Sequence, residues 1–344
     1  MRNYFVLLAV LLGPVLCEAQ RVEPQSREPE SRQKAPSAAE RRNRPGPWDN
    51  DVLVFKVETN GTVTRLAVFE RAGVPTAARL KDGRLIAAHQ HFPESDESDF
   101  DKVAVRFSSD GGRTWTKPQV IEMRGLPEGM RFPFDPTLVP LADGRVRLYF
   151  TSLRGRRFEE QPPAIYSGVS TNGIHYEFEP GVRFGIEDRI VIDCAVALHN
   201  GTFHLYSPDN GAAGRRRGPG VDDGNRNDGR RAGTGYHATS EDGLKFTRKD
   251  DVHIDGRRHW LGNAQSDGNV ITFYGTGAQP PGVWLATSKD GSSWQIEEHK
   301  ARIPGADPGA VTLRDGSLLI VATGGPRPGT PSAERRRPAA APPH

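Results

Sequence analysis

Aspartate residues stand at the start of an apolar segment at three places along the chain. Asp135 and Asp307 each precede a proline, and Asp193 precedes Cys194. Two carboxyl groups can divide the work of glycoside hydrolysis, in which one protonates the leaving oxygen and the other acts as base or nucleophile. We take Asp135 and Asp193 as candidate catalytic carboxylates and Asp307 as a candidate binding residue. Because Asp before Pro also caps turns, a purely structural role for Asp135 and Asp307 stays open.

The acidic run over residues 94–101 offers a further carboxyl group. Asp96, Asp99 and Asp101 could each supply a general acid to a site below the loop, and we select Asp99 from the three. The alternative interpretation of such a run is a solvated surface loop.

Several other polar and aromatic residues fall where strands begin or end. His89 and His91 alternate at a strand end and are candidates for substrate or metal binding, although His-x-His alone is too short to predict a metal site. Trp260 is placed to stack on a sugar ring. The candidate substrate-binding residues are His89, His91, Arg131, Asp209, Trp260, Asn263 and Asp307. No cofactor or metal ligand set is predicted, and a structural or central divalent ion stays open.

A repeated hairpin positions these residues. Asp-Gly or Asn-Gly pairs between apolar runs are a strong hairpin indicator, because both turn residues must tolerate positive φ. Such pairs begin at Asp82, Asp143, Asn200, Asp267 and Asp315.

A second element follows each of the first four hairpins. It is a Ser-x-Asp-x-Gly-x-x-Trp sequence or a shortened form, beginning at Ser108, Ser170, Ser240 and Ser288. The Asp or Asn can cap the turn backbone, Gly permits the bend, and the aromatic ring can pack between sheets. We assign the carboxylates of these Asp-boxes a structural role.

Two hairpins in each repeat give four strands, and five such sheets predict a five-bladed β-propeller. The fifth repeat lacks its outer hairpin, and residues 52–63 are predicted to supply it. In this topology the starts of the innermost strands converge on one end of a central funnel, which gathers the candidate residues above. The Asp-boxes lie at the opposite face.

The remaining chain is compositionally biased. The 344 residues include 38 Gly and 28 Pro, which argues against an all-helical fold, and a net charge of +3 gives no indication of nucleic-acid binding. Residues 1–19 resemble a cleavable signal peptide, which predicts a secreted or periplasmic protein without a membrane span. Residues 20–50 and 325–344 are predicted to be a disordered linker and tail around a propeller at 51–324. Cys194 alone would remain after cleavage, as a buried structural thiol rather than a nucleophile.

The Asp-boxes and residues 73–119 resemble the sialidase superfamily of Asp-box repeat proteins. That resemblance implies a loop acid before the first Asp-box, which Asp96, Asp99 or Asp101 can match. The sialidase motif that opens the first blade is Arg-Ile-Pro, whereas this chain has Gly73-Val74-Pro75. Sialidases also have six blades rather than five.

Five blades with Asp-Pro at strand entries also resemble the arabinanase, xylosidase and invertase group. In that group the resemblance implies an Asp on the first blade, where this chain has none at the matching point. It also implies an Asp on the second blade, which Asp135 matches, and a Glu on the third, where this chain has Asp193. The sequence thus predicts a secreted glycoside hydrolase with a carbohydrate substrate. The alternative is a non-catalytic propeller that binds glycan or protein. The oligomeric state is not indicated.

Overall fold

The computed structural model describes residues 46–94, 96–155, 161–212, 231–255, 257–279, 281–298 and 302–326. Within these ranges the chain forms 22 β-strands and a short 3-10 helix at Pro47–Asp49. In chain order the strands are β1 (Asn50–Val57), β2 (Val63–Phe69), β3 (Ala72–Arg79), β4 (Leu85–His91), β5 (Lys102–Ser108), β6 (Gln119–Val120), β7 (Glu122–Arg124), β8 (Phe134–Pro140), β9 (Val146–Ser152), β10 (Ala164–Ser170), β11 (His175–Phe184), β12 (Ala195–His199), β13 (Thr202–Pro208), β14 (Thr234–Ser240), β15 (Thr247–Arg248), β16 (Val252–His253), β17 (Arg257–Ser266), β18 (Ile271–Gln279), β19 (Pro281–Ser288), β20 (Gln295–Glu297), β21 (Ala306–Thr312) and β22 (Leu318–Pro326).

These strands form five antiparallel blades, which confirms the predicted five-bladed propeller. Blade 1 runs β3-β4-β5-β6 from the axis outward, and blade 4 runs β17-β18-β19-β20. Blade 2 (β8-β9-β10-β11) carries β7 as an added parallel edge strand, and blade 3 (β12-β13-β14) pairs with β15 and β16 at its edge. Each innermost strand contacts the innermost strands of both neighbouring blades, so the ring is closed.

The two ends of the described chain close the ring together. β1 pairs antiparallel with β22, and β2 pairs with β1, so blade 5 has the order β21-β22-β1-β2. The predicted contribution of the N-terminal hairpin is confirmed. The strands extend from Asn50 to Pro326.

The hydrophobic core is divided among the five seams between blades. The seam between blades 1 and 2 holds Ile86, Val105 and Leu148, for example, and the seam between blades 3 and 4 holds Tyr206 and Trp260. This division follows from strand alternation, because each strand directs successive side chains to opposite faces and each blade is covered on both.

Asp-box turns cap themselves as the sequence predicts. Asp110 Oδ1 accepts hydrogen bonds from the backbone N–H groups of Arg113 and Thr114, at 3.1 and 3.0 Å. These bonds, and one from the Thr114 hydroxyl, lower the pKa of Asp110 to about 2. Asn172, Asp242 and Asp290 make corresponding backbone contacts. The Asp and Asn side chains of these turns therefore stabilise the turn backbone.

The predicted signal peptide (1–19) and most of the linker and tail lie outside the described residues. Residues 46–50, assigned to the linker, instead form the 3-10 helix and the start of β1. None of the described segments forms an apolar helix long enough to cross a bilayer.

Candidate functional site

A repeated backbone irregularity brings one residue of each blade to the axis. Register shifts interrupt the innermost pairings of blades 1, 2, 4 and 5, between Gly73 and Thr76, Phe134 and Thr137, His259 and Gly262, and Ala306 and Gly309. At or beside these points, and before β12 in blade 3, one residue takes a positive φ: Val74 (48°), Asp135 (49°), Asp193 (58°), Gly262 (152°) and Asp307 (51°). Positive φ is unfavourable for most side chains, and Asp tolerates it better than Val.

Threonine hydroxyls support this strained backbone. The N–H groups of Val74, Asp193 and Asp307 donate to Thr323, Thr151 and Thr276, at 3.0, 3.2 and 2.6 Å. Each of these threonines lies on the second strand of the preceding blade. The blades therefore hold one another's strand entries in place.

The five positive-φ residues line one axial cavity. Its other lining residues include Thr76, Thr137 and Cys194, and its volume is about 10 Å³. A volume of this size holds about one water molecule. We call it the axial cavity.

Asp135 and Asp193 line the axial cavity together, and each of the two carboxyl groups affects the pKa of the other. Burial raises the pKa of Asp135 to about 6, and the bonds from Thr151 and Asp193 and the charge of Arg131 oppose that rise. Burial, the Asp135 charge and the Asp307 charge raise the pKa of Asp193 well above its ordinary value. Both carboxyl groups therefore bind protons at a higher pH than an exposed aspartate does.

Asp307 enters the same cavity from blade 5, across the ring from the Asp135–Asp193 pair. Burial and the charge of Asp135 raise the pKa of Asp307 to about 8. Three carboxyl groups in one small cavity cannot all ionise without mutual repulsion. The three carboxyl groups therefore hold protons to a higher pH than exposed aspartates do.

Asp101 joins the acidic loop to this site. Its Oδ1 accepts from Gln90 Nε2 and its Oδ2 accepts from Arg131 Nη2, each at 2.8 Å. Burial raises the pKa of Asp101, and Arg131 opposes the rise. The guanidinium of Arg131 also lies 4.4 Å from the ring centre of Phe134, next to Asp135.

The acidic loop presents Asp99 differently. Its carboxylate lies 3.7 Å from Lys102 Nζ, and Asp96 accepts from the backbone of Ser98 within its own turn. Of the three acids weighed from the sequence, Asp101 is the one that contacts Arg131. The conformation of the loop determines which of the three acids reaches Arg131, and the spacing of these acids in the sequence does not reveal it.

Trp260 requires a correction. It is 0% exposed, it donates from Nε1 to the Gly233 carbonyl at 2.9 Å, and it packs against Phe273. The register shift between His259 and Gly262 directs the indole into the seam between blades 3 and 4. It cannot stack on a sugar in this arrangement.

The carboxylate of Asp209 is also fully engaged by neighbouring protein groups. Its side chain is 0% exposed and pairs with Arg189 and Arg231, the latter at 2.8 Å. Tyr236 and the Gly211 N–H complete its bonds, which together lower its pKa against the effect of burial. Asp209 therefore links Arg189 to Arg231 and is not free to bind substrate.

The histidine pair and Asn263 are similarly enclosed. His89 is buried, its Nδ1 lies 2.9 Å from the Gln90 carbonyl, and burial lowers its pKa to about 3. His91 is half-buried with its ring centre 5.9 Å from that of His89, and Asn263 is buried on β17. Among the described residues no three His, Cys, Asp or Glu are arranged to hold a metal ion.

Sequence reasoning missed Gln90 and the three threonines Thr151, Thr276 and Thr323. All four occupy one position on the second strand of their blades. Gln90, Thr151 and Thr323 each follow the Asp of their turn by eight residues, which an alignment on the turns would have revealed, whereas Thr276 follows its turn Asp by nine.

No protein-family model and no curated protein sequence matches this chain. Solved structures do match in fold. A protein of unknown function from Dyadobacter fermentans is 15% identical, with a TM-score of 0.50 over 78% of this chain and 83% of that chain. A protein from Bacteroides thetaiotaomicron, provisionally assigned as a glycosidase, is 14% identical, with a TM-score of 0.50 over 73% and 86%. An N-acetylgalactosamine deacetylase from F. plautii is 14% identical, with a TM-score of 0.46 over 76% and 77%. At these identities the likeness concerns the fold.

Proposed function

We propose that this protein is a glycoside hydrolase whose axial cavity carries the reaction. The observation that supports the proposal best is the division of protons among Asp135, Asp193 and Asp307. Glycoside hydrolysis needs an acid and a base or nucleophile on opposite sides of the scissile bond. In this proposal Asp135, whose pKa is raised to about 6, is the base, and Asp307, whose pKa is raised to about 8 on a blade across the ring, is the acid.

Asp135 and Asp193 act together in this proposal. Carboxyl groups that flank a glycosidic bond lie about 5 to 9.5 Å apart. We place Asp135 and Asp193, each of which affects the pKa of the other, on the same side of that bond. Asp193 therefore holds its proton towards Asp135 and stabilises that carboxylate. Asp307 supplies the proton to the leaving oxygen, in the role first assigned to Asp99.

The cavity size suggests where each part of the reaction takes place. The space beside Asp135 fits one water molecule, which the carboxylate can activate. The sugar ring then lies above it, towards Arg131, Asp101 and Gln90, whose polar groups can bind hydroxyls. A water between base and sugar favours inversion of configuration.

The fold of the structural neighbours supports a glycosidase, since the Bacteroides thetaiotaomicron neighbour is provisionally assigned as one. The pattern of residues 1–19 supports export, and we propose a secreted or periplasmic location. The sugar and its linkage are left to experiment.

A panel of aryl glycosides tests the proposal: sialoside, arabinofuranoside, xyloside, fucoside and galactoside. The purified protein should release aglycone from at least one of them, and Asp135→Asn should lower kcat by about 10²- to 10⁴-fold. Asp110→Asn, in the first Asp-box, is the matched control. Equal turnover by Asp135→Asn and the wild type would contradict the proposal.

The narrowness of the axial cavity favours one alternative, a non-catalytic propeller that binds glycan or protein at its rim. Such a protein would bind a glycan array with no product formed, and Asp135→Asn would leave binding unchanged.

A further inference from the structure

Each of four seams places a side chain from the second strand of one blade beneath the Asp-box turn of the next. The turn glycines approach these side chains so closely that an added Cβ would lie under 3.0 Å away. The pairs are Gly112 with Leu319, Gly173 with Ile86, Gly243 with Arg147 and Gly291 with His204. His204 therefore occupies a position that other seams fill with Leu, Ile or a paired Arg.

Two of those seams show how the position is normally stabilised. Ile86 packs with Val105 in an apolar cluster. Arg147 donates to Glu179 at 2.8 and 2.9 Å, so its charge is neutralised. An apolar pair and an ion pair both tolerate a wide range of pH.

The seam between blades 3 and 4 uses two histidines instead. His204 Nδ1 lies 3.1 Å from His237 Nε2, and the residues are 7% and 1% exposed. His237 Nδ1 is buried and has no hydrogen-bond partner, while its ring lies 4.9 Å from that of Tyr206 at an interplanar angle of 10°. One ring nitrogen must carry the hydrogen of this contact and the other must accept it, so the contact requires at least one neutral imidazole.

A groove of about 790 Å³ gives water access to this pair. Several charged or titratable groups surround the histidine pair. His199, at the end of β12, and Tyr206, on β13, lie beside its rings. The groove is lined by Asp290 from the Asp-box of blade 4 and by four residues of the segment that begins in β15: Arg248, Lys249, Asp250 and Asp251. Asp290 favours a charged His204, whereas His199 disfavours it, and Lys249 disfavours a charged His237. Asp290 is already engaged by the backbone N–H groups of Ser292 and Ser293 at 2.8 Å, so little compensation is available.

We propose that His204 and His237 form an acid-labile latch that closes the seam between blades 3 and 4 and opens it towards the groove when the pair takes up protons. Opening would separate the Gly291 turn from Tyr206, whose hydroxyl donates to the Gly291 carbonyl at 2.9 Å. It would also expose the Tyr206, Trp260 and Trp294 cluster, whose ring centres lie 5.2 to 5.8 Å apart.

The direction of the effect follows from the protonation states. Burial lowers the pKa of both His204 and His237 to about 4 from an ordinary value of 6.5. The unfolded chain therefore binds more protons than the folded chain between these values. The stability that the neutral pair supplies is complete above pH 6.5 and is lost as the pH falls towards 4.

A double variant copied from another seam tests the latch. His204→Ile with His237→Val reproduces the Ile86–Val105 pair, which occupies the corresponding positions in blade 1. Between pH 7.5 and pH 5.5 the urea unfolding constant of the wild type should rise at least about tenfold more than that of the variant. His175→Gln, which removes an exposed imidazole in blade 2, should retain the wild-type pH dependence.

Two spectroscopic readouts complete the test. Wild-type tryptophan emission should shift to the red at a pH where far-ultraviolet circular dichroism is still native, and the double variant should lack that step. Should the variant not fold, NMR titration of the wild-type His204 and His237 Cε1 protons decides the question. Midpoints near 4 support the latch, and midpoints near 6.5, or parallel pH dependences for wild type and variant, would overturn it.

Discussion

Asp135 and Asp193 line the axial cavity from neighbouring blades, and each carboxyl group affects the pKa of the other. Each stands at a positive φ, 49° and 58°, that directs its side chain to the axis. This mutual effect makes their titrations interdependent, and Asp307 extends this coupling across the ring.

Replacing Asp193 should alter the titration of its partner. Asp193→Ala removes the interaction that lowers the pKa of Asp135. We therefore expect the acid limb of the pH–rate profile to move to higher pH, and we expect Asp193→Asn, which keeps a side-chain donor, to move it less. An unchanged acid limb in Asp193→Ala would contradict the pairing.

Arg131 should tune the same carboxylate from the rim. Its positive charge lowers the pKa of Asp135. Arg131→Gln should therefore move the acid limb of kcat/KM to higher pH, and Arg131→Lys should move it less. If both variants changed KM alone, Arg131 would bind substrate without affecting Asp135.

The stability of the propeller should respond to Asp307 in a pH-dependent way. The pKa of Asp307 is raised from 3.8 to about 8, so the folded chain holds a proton that the unfolded chain releases. The resulting stabilisation is complete below pH 3.8 and is lost as the pH rises through 8. Asp307→Asn should therefore raise Tm at pH 9 relative to the wild type by more than it does at pH 5. Equal differences at the two pH values would show that the carboxyl is not buried.

Asp209 should matter for folding rather than for substrate. Asp209→Ala removes the partner of Arg189 and Arg231 and leaves Tyr236 without its acceptor. Breaking a buried pair costs about 3 to 5 kcal/mol, and the half-exposed Arg231 reduces this to about 2 to 3 kcal/mol. Urea unfolding measures the loss, with Asp250→Ala in the nearby groove as the control. A raised KM at unchanged stability would restore Asp209 as a substrate ligand.

A substitution of Trp260 distinguishes a buried structural role of the indole from stacking on a sugar ring. Trp260→Phe should lower stability by about 1 to 3 kcal/mol, because it leaves a void and removes the bond to the Gly233 carbonyl. KM should not change. An increase in KM without loss of stability would return the indole to the sugar site.

The fold followed from the sequence because its determinants are local. Each Asp-Gly or Asn-Gly turn depends on a few adjacent residues, and so does each capping bond of an Asp-box. The turns occur in all five repeats and the Asp-boxes in four. The missing outer hairpin of the fifth repeat likewise predicted that the N-terminal hairpin would complete blade 5, in which β1 pairs with β22 and β2 pairs with β1.

The sequence predicted the candidate site only in part. The direction of a side chain depends on backbone register shifts, which the spacing of residues in the sequence does not reveal. Asp135, Asp193 and Asp307 were brought together as expected, since topology places the strand entries at the axis. Trp260 lies on β17 and Asp209 directly follows β13. The register shift in β17 encloses Trp260, and the arginines around Asp209 enclose that carboxylate. The role of Asp101 depends on contacts with Gln90 and Arg131, which are distant from it in a linear pattern.

The pH dependence of kcat/KM on a hydrolysed glycoside tests the division of protons in the axial cavity most directly. The profile should be bell-shaped, with an acid limb near pH 6 from Asp135 and a basic limb near pH 8 from Asp307. Asp307→Asn should lose the basic limb along with most of the activity, and Asp110→Asn should keep both limbs. A profile that is flat from pH 5 to pH 9, or one that Asp307→Asn leaves unchanged, would contradict catalysis by these carboxyl groups.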